Sequence, residues 1–269
     1  MILLNAKGEN YMFEEKVGII TGGTSGIGLA TAELLAKEGM HVVIASRNSE
    51  KGEEALSRLR KWSPRSIFIK TDVTNSQDVK NLVSQTYSTF GKIDVGFNNA
   101  ANTEAASNAT HEFKEEDFDH LINVTLKSVW LCMKYQLQVM TKQNSGVIVN
   151  TSSMDAILCS AGTGVYAAGK SGVIALTKSV AQEYGHQNIR INSFCPGAFR
   201  TPMLEERFSN LSSEEKAKLN ESYQKLNALG RIGDPFEAAK AVKWLLSDDA
   251  SFVTGQNIIV DGGIGFRFE

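Results

Sequence analysis

From Val17 onward, short runs rich in β-branched residues alternate with longer stretches in which apolar residues recur at helical spacing. The short runs at 17–20, 41–45, 66–70, 94–97, 146–150, 190–194 and 257–260 predict seven strands. The stretches between them predict helices. In 27–38, for example, Ile27, Ala30, Leu34 and Leu35 form one apolar stripe, and Gly39 offers a C-terminal cap. Strand and helix in regular alternation imply βαβ units, whose right-handed crossovers place helices on both faces of a parallel sheet. The expected class is therefore α/β.

One polar stretch breaks the rhythm. TPMLEERFSNLSSEEKAKLNESYQKLN, 201–227, separates the sixth strand from the helix expected near Pro235. An insertion of about 201–228 at the carboxyl edge of the sheet reads either as a lid over substrate or as a surface helical hairpin. No Pro/Ser-rich linker, repeat or low-complexity tract divides the chain, so one domain over 16–269 is expected, with 1–15 as an N-terminal extension.

Composition narrows the partners. With 269 residues and 42% apolar content the chain can bury a full core, and a net charge of −2 provides no field to draw it to nucleic acid or an anionic membrane. Small molecules are the expected partners. The N-terminal apolar run stops at Leu4, too short for a signal core or a span, which points to the cytoplasm. Cys132, Cys159 and Cys195 are odd in number and widely spaced, which argues against a disulfide framework. His41, His111, His120 and His186 form no ligand spacing, so no metal is expected.

Candidate cofactor chemistry begins directly after the first strand, at Thr21-Gly22-Gly23-Thr24-Ser25-Gly26-Ile27-Gly28. Glycines allow a tight turn and close approach to a pyrophosphate, and the free N–H groups of the helix start attract its charge. The spacing is looser than the G-x-G-x-x-G fingerprint. The second strand ends Ala45-Ser46-Arg47-Asn48, where an acidic side chain would accept the ribose hydroxyls of NAD. Neutral Ser46 instead removes repulsion from a 2′-phosphate, and Arg47 can grip one with its charged fork, which favours NADP(H) over NAD(H). Asp72-Val73 and Asn98-Asn99-Ala100-Ala101 fall at carboxyl ends of strands, where open sheets bind ligands, although such residues are also ordinary turn formers.

Gly164-Val165-Tyr166-Ala167-Ala168-Gly169-Lys170-Ser171 admits two readings. Letter for letter it is a P-loop, G-x-x-x-x-G-K-[ST], which would make the chain a nucleotide triphosphatase. A P-loop joins a strand directly to a helix, whereas here the nearest strand ends near Asn150 and 165–184 is itself helical, with Val173, Leu176 and Val180 in phase. The other reading pairs Tyr166 with Lys170, one helical turn apart. A free tyrosine has a pKa of about 10. A nearby ammonium favours its phenolate, so Tyr166 can exchange a proton with a carbonyl or alcohol oxygen at working pH, with Ser153 hydrogen-bonding the same oxygen.

Taken together, these motifs resemble the short-chain dehydrogenase/reductase family from Lys16 to about Gly263. The likeness rests on TGGTSGIG at 21–28, Asp72-Val73, NNAA at 98–101, Asn123, Ser153 thirteen residues before Tyr166, YAAGK at 166–170, Pro196-Gly197 and Val260-Asp261-Gly262-Gly263. The resemblance implies a Rossmann-like doubly wound sheet in the order 3-2-1-4-5-6-7, in a homotetramer or homodimer. It implies Tyr166 as proton donor and acceptor, Lys170 on the nicotinamide ribose, Ser153 on the substrate oxygen, and Asn123 as holder of a relay water. Pro196, Gly197 and Thr201 would border the nicotinamide, while Asp72, Val73 and Asn99 would frame adenine and ribose. Where the family commonly has NNAG, Ala101 adds a methyl.

The resulting expectation is an oxidoreductase that moves a hydride between NADP(H) and a secondary alcohol or ketone. Its substrate pocket would be drawn from Thr103, Asp155, Ala156, Leu158, Thr163, Phe199 and Met203, foremost Asp155, Phe199 and Met203. The alternatives are a cofactor-binding regulator without turnover and the triphosphatase.

Overall fold

A computed structural model describes residues 11–101, 107–209 and 211–266. Seven strands form one parallel sheet: β1 Val17–Thr21, β2 His41–Ser46, β3 Ile67–Lys70, β4 Val95–Asn98, β5 Gly146–Thr151, β6 Ile189–Pro196 and β7 Asn257–Val260. Their order is β3-β2-β1-β4-β5-β6-β7. Successive residues of the central strands serve opposite cores, as the two-residue period of a strand requires. Ile20, Val42, Ile44, Phe97 and Val149 enter one core, and Ile19, Val43, Ala45 and Ile148 the other. Strands buried on both faces explain why the sequence shows runs rather than alternation.

Helices cover both faces. On the first core lie α1 (Gly26–Lys37) and α2 (Ser49–Leu59), through Leu35, Leu56 and Leu59. On the second lie α3 (Ser76–Phe90), with Leu82 and Val83 buried, and, after α4 (Glu115–Ile122), α5 (Ser128–Gln143), with Val129, Met133 and Met140. The short α6 (Asp155–Leu158) leads to α7 (Gly164–Tyr184), which adds Val173 and Val180 to the second core. After α8 (Pro202–Ser209) and α9 (Ser213–Leu226), α10 (Pro235–Leu246) returns to the first core with Val242 and Leu245. Strand order reverses between β1 and β4, which opens a crevice at the carboxyl ends of the strands.

Several details differ from the sequence expectation. The fourth strand starts at Val95, and just ahead of it the Asp94 side chain accepts the Val17 N–H at 2.8 Å, tying β1 to β4 at their amino ends. Between α4 and α5, Asn123–Lys127 winds as a π-helical turn in which Ser128 N–H donates to the Asn123 carbonyl. Of the expected N-terminal extension, residues 1–10 lie outside the described residues, but Phe13 is buried in the first core and its N–H donates to Glu38 O at 3.0 Å. The polar insertion folds as α8 and α9, and α9 starts from a Ser212–Glu215 capping box and has no buried residue. Among the described residues, no helix is long and apolar enough to cross a membrane.

Candidate active site

The glycine turn after β1 needs its glycines. Gly22 has φ +66° and Gly26 φ +52°, conformations that side chains disfavour. A Cβ on Gly28 would lie 2.2 Å from the Gly22 carbonyl oxygen, and one on Gly22 would lie 3.0 Å from Ala100 Cα. The turn is therefore folded tightly against the end of β4. The Leu29 N–H donates to Ser25 O, leaving the preceding N–H groups at the start of α1 without intrahelical partners. This bare, concave turn at a helix start fits a dinucleotide pyrophosphate.

Beside it, Asn98 and Asn99 hold strand ends together. Asn98 Nδ2 donates to Asn150 Oδ1 at 2.9 Å, and Gln136 Nε2 donates to Asn98 Oδ1 at 2.9 Å, all of them buried. Asn99 Nδ2 donates to Thr21 O at 3.4 Å, and its Oδ1 accepts from Thr151 Oγ1 at 3.3 Å, so one amide spans β1 to β5.

At the end of β2, Arg47 is exposed. Ser46 Oγ donates to the Asn48 carbonyl at 3.3 Å, while Asn48 Oδ1 caps α2 by accepting the Lys51 N–H at 2.9 Å. The Asn48 side chain thus serves the helix. Asp72 Oδ1 accepts from Thr74 N–H at 2.9 Å and Thr74 Oγ1 at 2.7 Å. Burial pushes the Asp72 carboxyl up, but these bonds, with the charges of Arg47 and His120, bring it below the ordinary value. Val73 packs on the small cluster of Val79, Leu131 and Cys132.

The reactive end is built where β5 meets α7. Tyr166 and Lys170 stand one turn apart, with the Lys170 Nζ 6.0 Å from the Tyr166 ring centroid. Lys170 is only 1% exposed, and its ammonium donates to the Thr151 carbonyl at 2.9 Å. Burial lowers its pKa to about 8. Ser152 Oγ donates to the Lys170 carbonyl at 2.9 Å, fastening the helix to the strand end. Ser153 Oγ accepts the Asp155 N–H at 3.2 Å, which leaves its own O–H available as a donor.

The same helix explains the P-loop lettering. Residues 164–171 form the first two turns of α7, and α6 separates them from β5, so no strand leads directly into them as a P-loop requires. Gly169 has a packing role instead. A Cβ there would fall 2.1 Å from Thr125 Oγ1, in the π-helical turn that begins at Asn123. Thr125 Oγ1 in turn donates to Leu121 O at 2.6 Å.

A cavity of about 390 Å³ joins the two ends. Its wall includes Gly22, Ser25, Gly26, Ile27, Asn99, Ala100 and Ala101 on the cofactor side, and Ser153, Tyr166, Lys170, Pro196, Gly197 and Thr201 on the reactive side. Thr24, Gly28, Ser46, Arg47, Asn48, Asp72, Val73 and Asn123 lie outside this wall. Thr201 packs on the glycine turn, since a Gly26 Cβ would meet its Cγ2 at 3.1 Å. Gly197 lies so close to the chain end that a Cβ would meet Asp261 Cα at 2.6 Å.

Of the expected substrate residues, Asp155, Thr163, Phe199 and Met203 line the cavity. Ala156 and Leu158 do not: the Ala156 carbonyl accepts Ser171 Oγ at 2.9 Å, and Leu158 is exposed. Thr103 lies outside the described residues. Sequence reasoning missed Tyr223 and Leu226 of α9, and Ile264. Asp261 positions Ile264 by accepting the Gly263 N–H at 2.8 Å and the Gly265 N–H at 3.0 Å. The signal for the first two was their i, i+3 spacing in a polar helix. Among the described residues there is no group of three or more His, Cys, Asp or Glu side chains able to hold a metal.

Known proteins resemble this chain over most of its length. A family model described as enoyl-(acyl carrier protein) reductase matches residues 22–265. The 2,5-dichloro-2,5-cyclohexadiene-1,4-diol dehydrogenase of Sphingobium indicum is 39% identical over 249 residues, covering 92% of this chain and 96% of that protein. Levodione reductase, in its crystal structure, superimposes with a TM-score of 0.90 at 37% identity, covering 95% of this chain and 100% of the other. A variant of actinorhodin polyketide ketoreductase solved with NADPH gives a TM-score of 0.87 at 31% identity, covering 94% and 98%. With the seven-stranded parallel sheet, these likenesses place the chain in the short-chain dehydrogenase/reductase family of NAD(P)-dependent enzymes that act on CH–OH and C=O groups.

Proposed function

We propose that this enzyme moves a hydride between NADP(H) and a secondary alcohol or ketone, with Tyr166 as the general acid and base. The observation that carries the reading is the buried ammonium of Lys170, held by the Thr151 carbonyl at 2.9 Å and one helical turn from Tyr166, on a wall shared with Ser153. When bound, the nicotinamide gives or takes the hydride.

The chain's own residues handle the proton and the positioning. The Lys170 charge favours the Tyr166 phenolate and brings its affinity for a proton toward the working range. In reduction Tyr166 gives its proton to the oxygen that gains charge, and in oxidation it takes the proton from the alcohol. Ser153, whose O–H is free to donate, holds that same oxygen. Asn123 serves as the relay position that returns protons through Lys170, on the π-helical turn that packs against Gly169.

NADP(H) is preferred to NAD(H) because Ser46 carries no charge and exposed Arg47 is available to a 2′-phosphate at the end of β2. NADPH in a structural relative supports this choice. Gly22, Thr24, Ser25, Gly26, Ile27 and Gly28 hold the pyrophosphate side; Asp72, Val73, Asn99, Ala100 and Ala101 border the adenosine; Pro196, Gly197 and Thr201 border the nicotinamide. Helices α8 and α9 cover the substrate through Met203, Leu204, Tyr223 and Leu226. Homotetramer formation in the cytoplasm belongs to the same reading. Exposed Trp130 on α5 and Phe252 ahead of β7 are apolar surface that assembly would cover.

NADPH is expected to raise the melting temperature and to be oxidised on addition of an accepted ketone. A protein that NADPH does not stabilise, and that oxidises it with no ketone or diketone, would not be this enzyme.

A further inference from the structure

Around the reactive centre the cavity wall is mostly apolar, formed by Met154, Phe199, Met203, Leu204, Leu226 and Ile264. Among the described residues, two charged side chains are on it, Lys170 and Asp155. The Lys170 ammonium is already bonded to Thr151 O at 2.9 Å. Asp155 differs. It is half-buried, and its carboxylate has no hydrogen-bond or ion-pair partner among the described residues.

Its place is nevertheless fixed. The Asp155 N–H donates to Ser153 Oγ at 3.2 Å, and its carbonyl accepts the Cys159 N–H at 3.1 Å. The residue is thereby tied by its backbone to the hydroxyl that meets the reacting oxygen. A ligand entering the cavity displaces water from this carboxylate, and a carboxylate stripped of water without a replacement donor is strongly disfavoured. A ligand anion would add repulsion in an apolar surround. A ligand cation would meet the Lys170 ammonium on the same wall, so the favoured ligand is neutral and brings its own donor.

We propose that the preferred substrate is an uncharged ketone or secondary alcohol that bears a second hydroxyl, and that Asp155 selects it by accepting a hydrogen bond from that hydroxyl. This rests on the hydride-transfer reading above. Asp155 is a specificity residue and takes no proton in the reaction.

The test compares kcat/KM of the full chain with NADPH for cyclohexanone, the three positional hydroxycyclohexanones, an aminocyclohexanone and 2-oxocyclohexane carboxylate. At least one hydroxycyclohexanone is expected to exceed cyclohexanone by about tenfold or more, with the carboxylate below both. In Asp155→Ala that ratio is expected to collapse toward one, and in Asp155→Asn, which keeps an acceptor oxygen without the charge, to an intermediate value. An NADPH-induced rise in melting temperature in both variants verifies that they are folded. A ratio unchanged in Asp155→Ala, or a wild-type preference for the carboxylate or the amine, overturns the proposal. Turnover of cyclohexanone that depends on Tyr166, but without preference for any hydroxylated ketone, overturns it and leaves the hydride-transfer reading standing. No turnover of any of these ketones overturns the substrate class, and with no NADPH-induced stabilisation it overturns the reading beneath it as well.

Discussion

Lys170 donates to the Thr151 carbonyl at 2.9 Å with almost no solvent contact, so a charge is held deep in the fold by one backbone acceptor. That arrangement costs stability. The Lys170 pKa of about 8 lies below the ~10.4 of a free lysine. The unfolded chain therefore binds the extra proton between these values, and stability contributed here rises with pH across that window. Below pH 8 the full penalty applies, on the order of 3 kcal/mol.

Lys170→Met is expected to remove this penalty at pH 7, offset by about 1 kcal/mol for the Thr151 carbonyl left without its donor. Melting temperature at pH 7 should rise by several degrees while turnover collapses. The advantage over wild type should shrink between pH 8 and pH 10. Thermal melts at several pH values check this, and a fall in melting temperature at pH 7 would mean that burial of the charge is not the dominant effect.

The same shift sets a limit on activity. As pH rises past about 8, Lys170 loses the charge that favours the Tyr166 phenolate. The pH profile of kcat/KM for alcohol oxidation should have a falling limb near that value, which an extended profile to pH 10 would reveal.

Gly169→Ala should damage the site through packing alone. Its Cβ, 2.1 Å from Thr125 Oγ1, would force α7 away from the π-helical turn at a cost of roughly 1–3 kcal/mol. Tyr166 and Lys170 flank this position, so kcat should fall along with stability. Combining it with Thr125→Ala removes the clashing oxygen and should restore at least 1 kcal/mol beyond additivity in a double-mutant cycle. Strictly additive losses would show that the close approach is not the cause.

Much of the fold is legible in the sequence. Seven apolar runs mark seven strands because strands covered on both faces cannot alternate, and the sheet order followed from the family resemblance. Tyr166, Lys170 and Ser153 could be paired because helical spacing and the end of a strand are local facts. The departures have non-local causes. Nothing near Asn123 marks a π-helical turn, which is seen only where α7 packs against it through Gly169. Tyr223, Leu226 and Ile264 reach the cavity because α9 and the Asp261 turn fold back over it from distant parts of the chain. Ala156 and Leu158 were misplaced because the short α6 carries only one side, Asp155, onto the wall.

Arg47→Ala should weaken NADPH by about tenfold to a hundredfold, the worth of a charge-assisted bond to phosphate, and NADH by much less. Titration calorimetry with both cofactors measures this. Equal weakening would remove the basis for NADP selection.

Tyr166→Phe is the most direct test, since it deletes one oxygen and leaves the ring that lines the cavity. Steady-state turnover of an accepted ketone with NADPH is expected to fall by about 10²–10⁴-fold, while the NADPH-induced rise in melting temperature is retained. Full turnover in this variant would contradict the assignment of the proton to Tyr166.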